Sequence, residues 1–110
     1  MTRNDKEGTT VLGPDVPTVA ATAVNPAALV LDVREPAEWD DAHVADSLHI
    51  PMGQFVARVG EVPTDRPLVV VCHSGHRSAQ VTAWLVSQGY DAANLEGGLV
   101  AWAQAGLPLE

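Results

Sequence analysis

Seven consecutive residues, Cys72-His73-Ser74-Gly75-His76-Arg77-Ser78, concentrate the side chains able to do covalent chemistry. Cys72 is the chain's one cysteine, and a thiol becomes a strong nucleophile at neutral pH only where its thiolate is stabilised. The apolar run Leu68-Val69-Val70-Val71 comes directly before it, and good helix formers follow from Arg77 to Gln88. Cys72 therefore sits where a strand gives way to a helix. A tight loop at such a junction aims successive backbone N–H groups inward, and the helix N-terminus adds partial positive charge. Gly75 lets the backbone turn without a Cβ clash. Those donors, together with Arg77, are expected to lower the Cys72 pKa. An isolated cysteine at a strand end is more often a buried structural residue, but the glycine and arginine at this junction reverse the odds. His73 and His76 beside Cys72 superficially suggest zinc. A loop that points its backbone donors at the sulfur turns the imidazoles outward, and a fourth ligand is missing, so no metal is expected. The imidazoles are instead placed to meet an incoming ligand, with added positive charge below about pH 6.5.

The elements that must hold this loop are legible in the flanking pattern. Ala28-Leu29-Val30-Leu31-Asp32 is a second apolar run that stops at an ionisable residue, like Leu68 to Cys72, and both read as parallel strands buried on two faces. Ligands bind beyond the carboxyl ends of such strands, which brings Asp32 and Cys72 toward one site. Val16–Val19, Ser47–Ile50 and Ala93–Leu95 are weaker strand candidates. Helices are expected over Glu35–Ala42, opened by Glu-Pro, over Arg77–Gln88 with Gly89 as a stop, and over Leu99–Gln104. Asp40 and Asp41 oppose the dipole at the end of the first helix, so it should be short. Strands alternating with helices define an α/β fold.

At 110 residues, with 46% hydrophobic and 18% charged positions, the chain suits one soluble domain. Residues 1–15 are polar and aperiodic and are expected to form a flexible arm, with the domain over 16–109. They show no apolar stretch of the kind a secretory signal needs, and no run reaches the roughly 20 apolar residues of a membrane span. A lone cysteine cannot form an internal disulfide, which points to the cytoplasm. A net charge of −8, with Lys6 the only lysine, argues against nucleic-acid or anionic-membrane partners.

The loop resembles the active-site loop of rhodanese-domain proteins, in which a cysteine is followed by a glycine three residues on and an arginine two beyond. The rest of the chain is similar to the same family. Leu31-Asp32-Val33-Arg34-Glu35-Pro36 with Glu38-Trp39 resembles its first signature, His43-Val44 with Ile50-Pro51 its second, and Leu95-Glu96-Gly97-Gly98 with Ala101-Trp102 and Gly106-Leu107-Pro108 its last. The likeness spans about residues 16–109. It departs at Ala42 and Asp46, where the family usually carries glycine, and at Ser47 and His49, where small or amide residues are usual, which bears on the rim of the site.

The resemblance implies a three-layer fold, with a mostly parallel sheet of about five strands covered by helices on both faces. It also implies a double-displacement sulfur transfer. Cys72 would take the sulfane sulfur of a donor such as thiosulfate as a persulfide, the N–H groups of His73 through Ser78 would hold the terminal sulfur, and a thiol or cyanide would accept it, with no metal or organic cofactor required. A protein could serve as donor or acceptor. Asp32 and Arg34 would support the loop, although for Arg34 a surface ion pair is an equal reading. Arg77 either binds an anionic donor or pairs with a carboxylate such as Asp32 or Glu35 to brace the loop. His43 and His49 read as structural residues near the sheet, and Trp39, Trp84 and Trp102 as packing residues.

Three rival readings remain. A cysteine phosphatase or arsenate reductase uses C-x5-R, whereas the loop here is C-x4-R and suits a single sulfur. The other two are a non-catalytic regulatory module and a persulfide carrier served by a protein partner.

Overall fold

A computed structural model describes residues 16–110; the expected arm over 1–15 lies outside the described residues. Five strands, β1 (Thr18–Val19), β2 (Leu29–Asp32), β3 (Leu48–His49), β4 (Leu68–Val71) and β5 (Ala92–Leu95), form one sheet in the order β1-β5-β4-β2-β3. Every pairing is parallel. The central strands run as expected, and the two edge strands are shorter than their apolar patterns suggested because each finds a partner for only two residues.

Parallel strands place alternate side chains on opposite faces, and the sheet accordingly carries two cores. Leu31, Leu68, Val70 and Ala92 pack on one face with Val81 and Leu85 of the long helix α3 (His76–Ser87) and with Phe55 of the short helix α2 (Phe55–Arg58). Val30, Val69, Val71 and Leu95 pack on the other with Ala21 and with Leu99 and Trp102 of α4 (Gly98–Gln104). Sequence periodicity names no element over residues 52–61. It is helical throughout, as two 3-10 turns flanking α2, because Phe55, Val59 and Val62 recur at helical spacing toward the first core.

The remaining helix, α1 (Pro36–Asp41), follows β2 with Pro36 in its first turn. Glu35 caps it, with its side chain accepting from the backbone at position 38 while the Glu38 carboxylate accepts the Glu35 N–H at 2.9 Å. It ends before Ala42, the short helix expected from Asp40 and Asp41. α3 stops at Ser87, and Gly89 follows in a left-handed conformation with φ 92°. None of the described helices is long and apolar enough to cross a membrane.

Because β3 lies on one side of β2 and β4 on the other, the order in which the chain adds strands reverses between β2 and β4. The segments that leave these two strands, at Val33-Arg34 and at Cys72, flank the reversal point, where open parallel sheets present their ligand sites.

Candidate active site

Cys72 is the first residue after β4, buried at 1% exposure, with its side chain on the α3 face of the sheet. The loop from His73 to Gly75 wraps over it, with Gly75 at φ 108° immediately before α3. This left-handed turn points the Gly75 N–H back at Cys72 Sγ, 3.1 Å away. The Ser78 hydroxyl, one turn into α3 and wholly buried, lies 3.2 Å from the same sulfur. Burial pushes the thiol up. The Ser78 hydroxyl and the backbone N–H groups of Ser78, Gly75 and Ser74 outweigh that penalty, and the net shift is downward. The sulfur is thus poised to ionise in a cradle of neutral donors.

A second element holds the loop from behind. The N–H groups of Leu99 and Val100, in the first turn of α4, donate to the carbonyls of Cys72 at 2.9 Å and His73 at 3.1 Å. These bonds turn the loop carbonyls away from the sulfur and so leave its N–H groups facing it. The approach is close enough to require glycine. A Cβ on Gly98 would lie 2.5 Å from the His73 carbonyl oxygen and 2.6 Å from that of Cys72. Gly97 at φ 73° and Gly98 at φ 61° also adopt backbone conformations that other residues rarely take.

Arg77 turns away from the sulfur. Its guanidinium grips Glu38 in a two-pronged pair, Nη1 to Oε1 at 2.7 Å and Nη2 to Oε2 at 3.0 Å. The partner is neither Asp32 nor Glu35, the carboxylates named from the sequence. The largest effects lowering the thiol come from the Ser78 hydroxyl and the backbone donors, and the Arg77 charge acts on the sulfur only as a weaker, through-space influence. For its part the guanidinium is held charged chiefly by Glu38, with the Cys72 charge a lesser influence. The Arg77 hydrogen bond, reinforced by the Glu35 N–H and only partly opposed by burial, holds the Glu38 carboxyl at about 2.

Asp32 and Arg34 are buried, not surface residues. Asp32 is fully enclosed and Arg34 is 6% exposed. The guanidinium reaches both Asp32 oxygens, with contacts of 2.8 to 3.0 Å, and spends its other protons on the carbonyls of Glu38 and Ala42. Arg34 therefore fastens the end of β2 to the last turn of α1 and the residue after it, on the helix that carries Arg77's partner. His43 and His49 stack on opposite sides of the Trp39 indole, with ring centroids 3.7 and 4.6 Å away. Each imidazole donates to a backbone carbonyl, His43 to Trp39 and His49 to Arg34. This sandwich forms part of the same scaffold. Asp46 takes the left-handed conformation at φ 62° inside the turn closed by the Ser47 N–H on the Val44 carbonyl. Glycine suits that position better than aspartate.

His73 and His76 are exposed; the latter's Nδ1 lies 3.2 Å from the Ser74 hydroxyl. Among the described residues no three of the His, Cys, Asp and Glu side chains come together as metal ligands. Two residues of the site were not singled out from the sequence. Glu38 stands within the first of the family-like signatures, and its own signal is the Glu-Pro-x-Glu spacing of a capping box. Asn94, in β5, contacts both Ser78 and Gly75; a polar residue inside an otherwise apolar strand was its only mark.

Residues 17–105 match the family model described as the rhodanese-like domain. A sulfurtransferase of Allochromatium vinosum is 45% identical over 82 residues, covering 74% of this chain and 77% of that protein. The thiosulfate sulfurtransferase GlpE of Pseudomonas syringae is 37% identical over 76 residues, covering 68% and 72%. A rhodanese-related protein of Thermoplasma volcanium superposes with a TM-score of 0.82 at 30% identity, over 86% of this chain and 97% of that one.

Proposed function

This chain belongs to the rhodanese-like domain family, and on that premise we propose that it is a cytoplasmic sulfurtransferase whose sulfur carrier is Cys72. The observation that carries the proposal is the Cys72 sulfur set beneath the Gly75 N–H and beside the Ser78 hydroxyl. The activity named for its relatives supports the same reaction class. With thiosulfate, the Cys72 thiolate attacks the sulfane sulfur. A Cys72–sulfur bond forms, the bond to the sulfonate group breaks, and sulfite leaves with that bond's electron pair. The persulfide left on the protein is an anion, and N–H groups of the loop from His73 to Ser78 stabilise it as an oxyanion hole stabilises oxygen. A thiolate or cyanide then attacks the outer sulfur and Cys72 leaves as thiolate. No cofactor enters these steps.

Intact-mass measurement after thiosulfate treatment tests the reading. The wild type should gain one sulfur atom that reductant removes, and Cys72→Ser should gain none. An unmodified wild-type mass overturns it.

One observation favours a variant in which a protein persulfide is the natural donor. Arg34, Arg58 and Arg77 are each paired with a carboxylate and Arg66 donates to the Ala27 carbonyl, so among the described residues no arginine faces the sulfur. A dianion such as thiosulfate must then rely on neutral donors and on the exposed imidazoles of His73 and His76, against the field of an acidic protein. A higher kcat/KM with a thiol persulfide than with thiosulfate would support this variant, and the reverse order would reject it.

A further inference from the structure

The Ser78 hydroxyl has one proton and two neighbours that can take it. Asn94 Oδ1 is 2.5 Å from Ser78 Oγ, and Cys72 Sγ is 3.2 Å away. The amide's orientation is fixed, because its other end lies 3.1 Å from the Gly75 carbonyl, which can only accept, so Nδ2 must face Gly75 and Oδ1 must face Ser78. All three side chains are buried, with Ser78 and Asn94 at 0% and 7% exposure, so water cannot supply a substitute partner.

We infer that Asn94 is a positioning residue that holds the Ser78 proton away from Cys72 until the sulfur carries negative charge. In the resting thiol, Ser78 donates to Asn94 and its lone pair can accept from the Cys72 S–H. When the sulfur ionises, or becomes the anionic persulfide, the hydroxyl proton swings to the sulfur and the bond to Asn94 is given up. Asn94 thus works against ionisation from one side of the hydroxyl while the cradle favours it from the other. Such a balance suits a thiol that must both attack and leave, since nucleophilicity falls and leaving ability rises as its pKa drops.

The inference rests on Cys72 being the reactive sulfur of the proposed function, but its test needs no sulfur donor. The midpoint of thiol ionisation is read from thiolate absorbance or from the pH dependence of alkylation. Asn94→Leu, nearly the same volume, removes the competing acceptor and should lower the midpoint by about one pH unit, equivalent to one ordinary hydrogen bond. The Gly75 carbonyl keeps its helical donor, the Ala79 N–H at 3.2 Å, so the loop retains an anchor. The charged groups near the loop are unchanged by the substitution: Arg77 with Glu38, Glu35, the Asp32–Arg34 pair, His73 and His76. In a Ser78→Ala background the same substitution should leave the midpoint where it is. Asn94→Ala gives the same readout should the leucine variant not fold. A midpoint that rises or stays fixed in the Ser78-containing protein overturns the inference, because loss of a merely structural contact would loosen the cradle and raise it. A failed persulfide assay beside a lowered midpoint would instead overturn the sulfur-transfer reading alone.

Discussion

The cradle around Cys72 and the brace beneath it handle charge in opposite ways. At the cradle the sulfur can become an anion with no cation against it, served by the Gly75 N–H, the Ser78 hydroxyl and the neighbouring amides. At the brace, less than a helix away, two guanidiniums are bound to two carboxylates, Arg34 to Asp32 and Arg77 to Glu38. The difference teaches that full charges here serve the architecture and fixed dipoles serve the reacting atom. A cation on the sulfur would hold the thiolate but also blunt its attack on a donor, whereas neutral donors held in place stabilise the charge more moderately.

Removing the brace should cost stability and spare the thiol. Arg34→Ala leaves the Asp32 carboxylate buried without its guanidinium and takes a donor from the Ala42 carbonyl, and should lower unfolding free energy by about 3–5 kcal/mol in denaturant titrations. A loss below about 1 kcal/mol would mean that the pair is as dispensable as a surface bridge. Arg77→Ala opens a pair that is about one-third exposed, and should cost only about 1 kcal/mol. Its pH dependence has a definite sign. Glu38 is held at about 2 against a usual 4.5, so its contribution is fully present above 4.5 and is lost as the pH falls from there through 2. The wild type and Arg77→Ala should therefore differ in stability at neutral pH and converge on acidification across that window. If Arg77→Ala moved the Cys72 ionisation midpoint as far as Ser78→Ala does, the division between brace and cradle would fail. The smallest effect is expected at the rim, remote from both. Asp46→Gly relieves a left-handed aspartate at the cost of unfolded-chain entropy and should stabilise the protein by under about 1 kcal/mol, with kcat unchanged.

The contrast also explains which parts of the molecule could be read from the sequence. β2 and β4 were legible because a strand buried on two faces needs an unbroken apolar run, and α3 because Gly75 and Gly89 bracket it. The cradle residues were legible because they are contiguous and their work is done by backbone. The brace was not. Which carboxylate Arg77 would take among Asp32, Glu35 and Glu38 depends on how α1 leaves β2, and that angle is set by Arg34 bonding two of its carbonyls. The segment over residues 52–61 was missed because Gly53 and Gly60 interrupt its apolar spacing and its turns are too short for a helical period to accumulate. Asn94 was hidden because its partners lie 16 and 19 residues away in the chain.

The two amide bonds from α4 to the carbonyls of Cys72 and His73 have a thermodynamic meaning beyond holding the loop in place. Peptide planes tied at both edges cannot rotate when the sulfur gains or loses charge. Water around a free thiolate would have to reorient at each such change, and that reorganisation adds to the barrier every time. Here the alignment of the loop amides is completed once, during folding, and at every later charging of the sulfur they already face the right way, so that only the Ser78 hydroxyl has to turn.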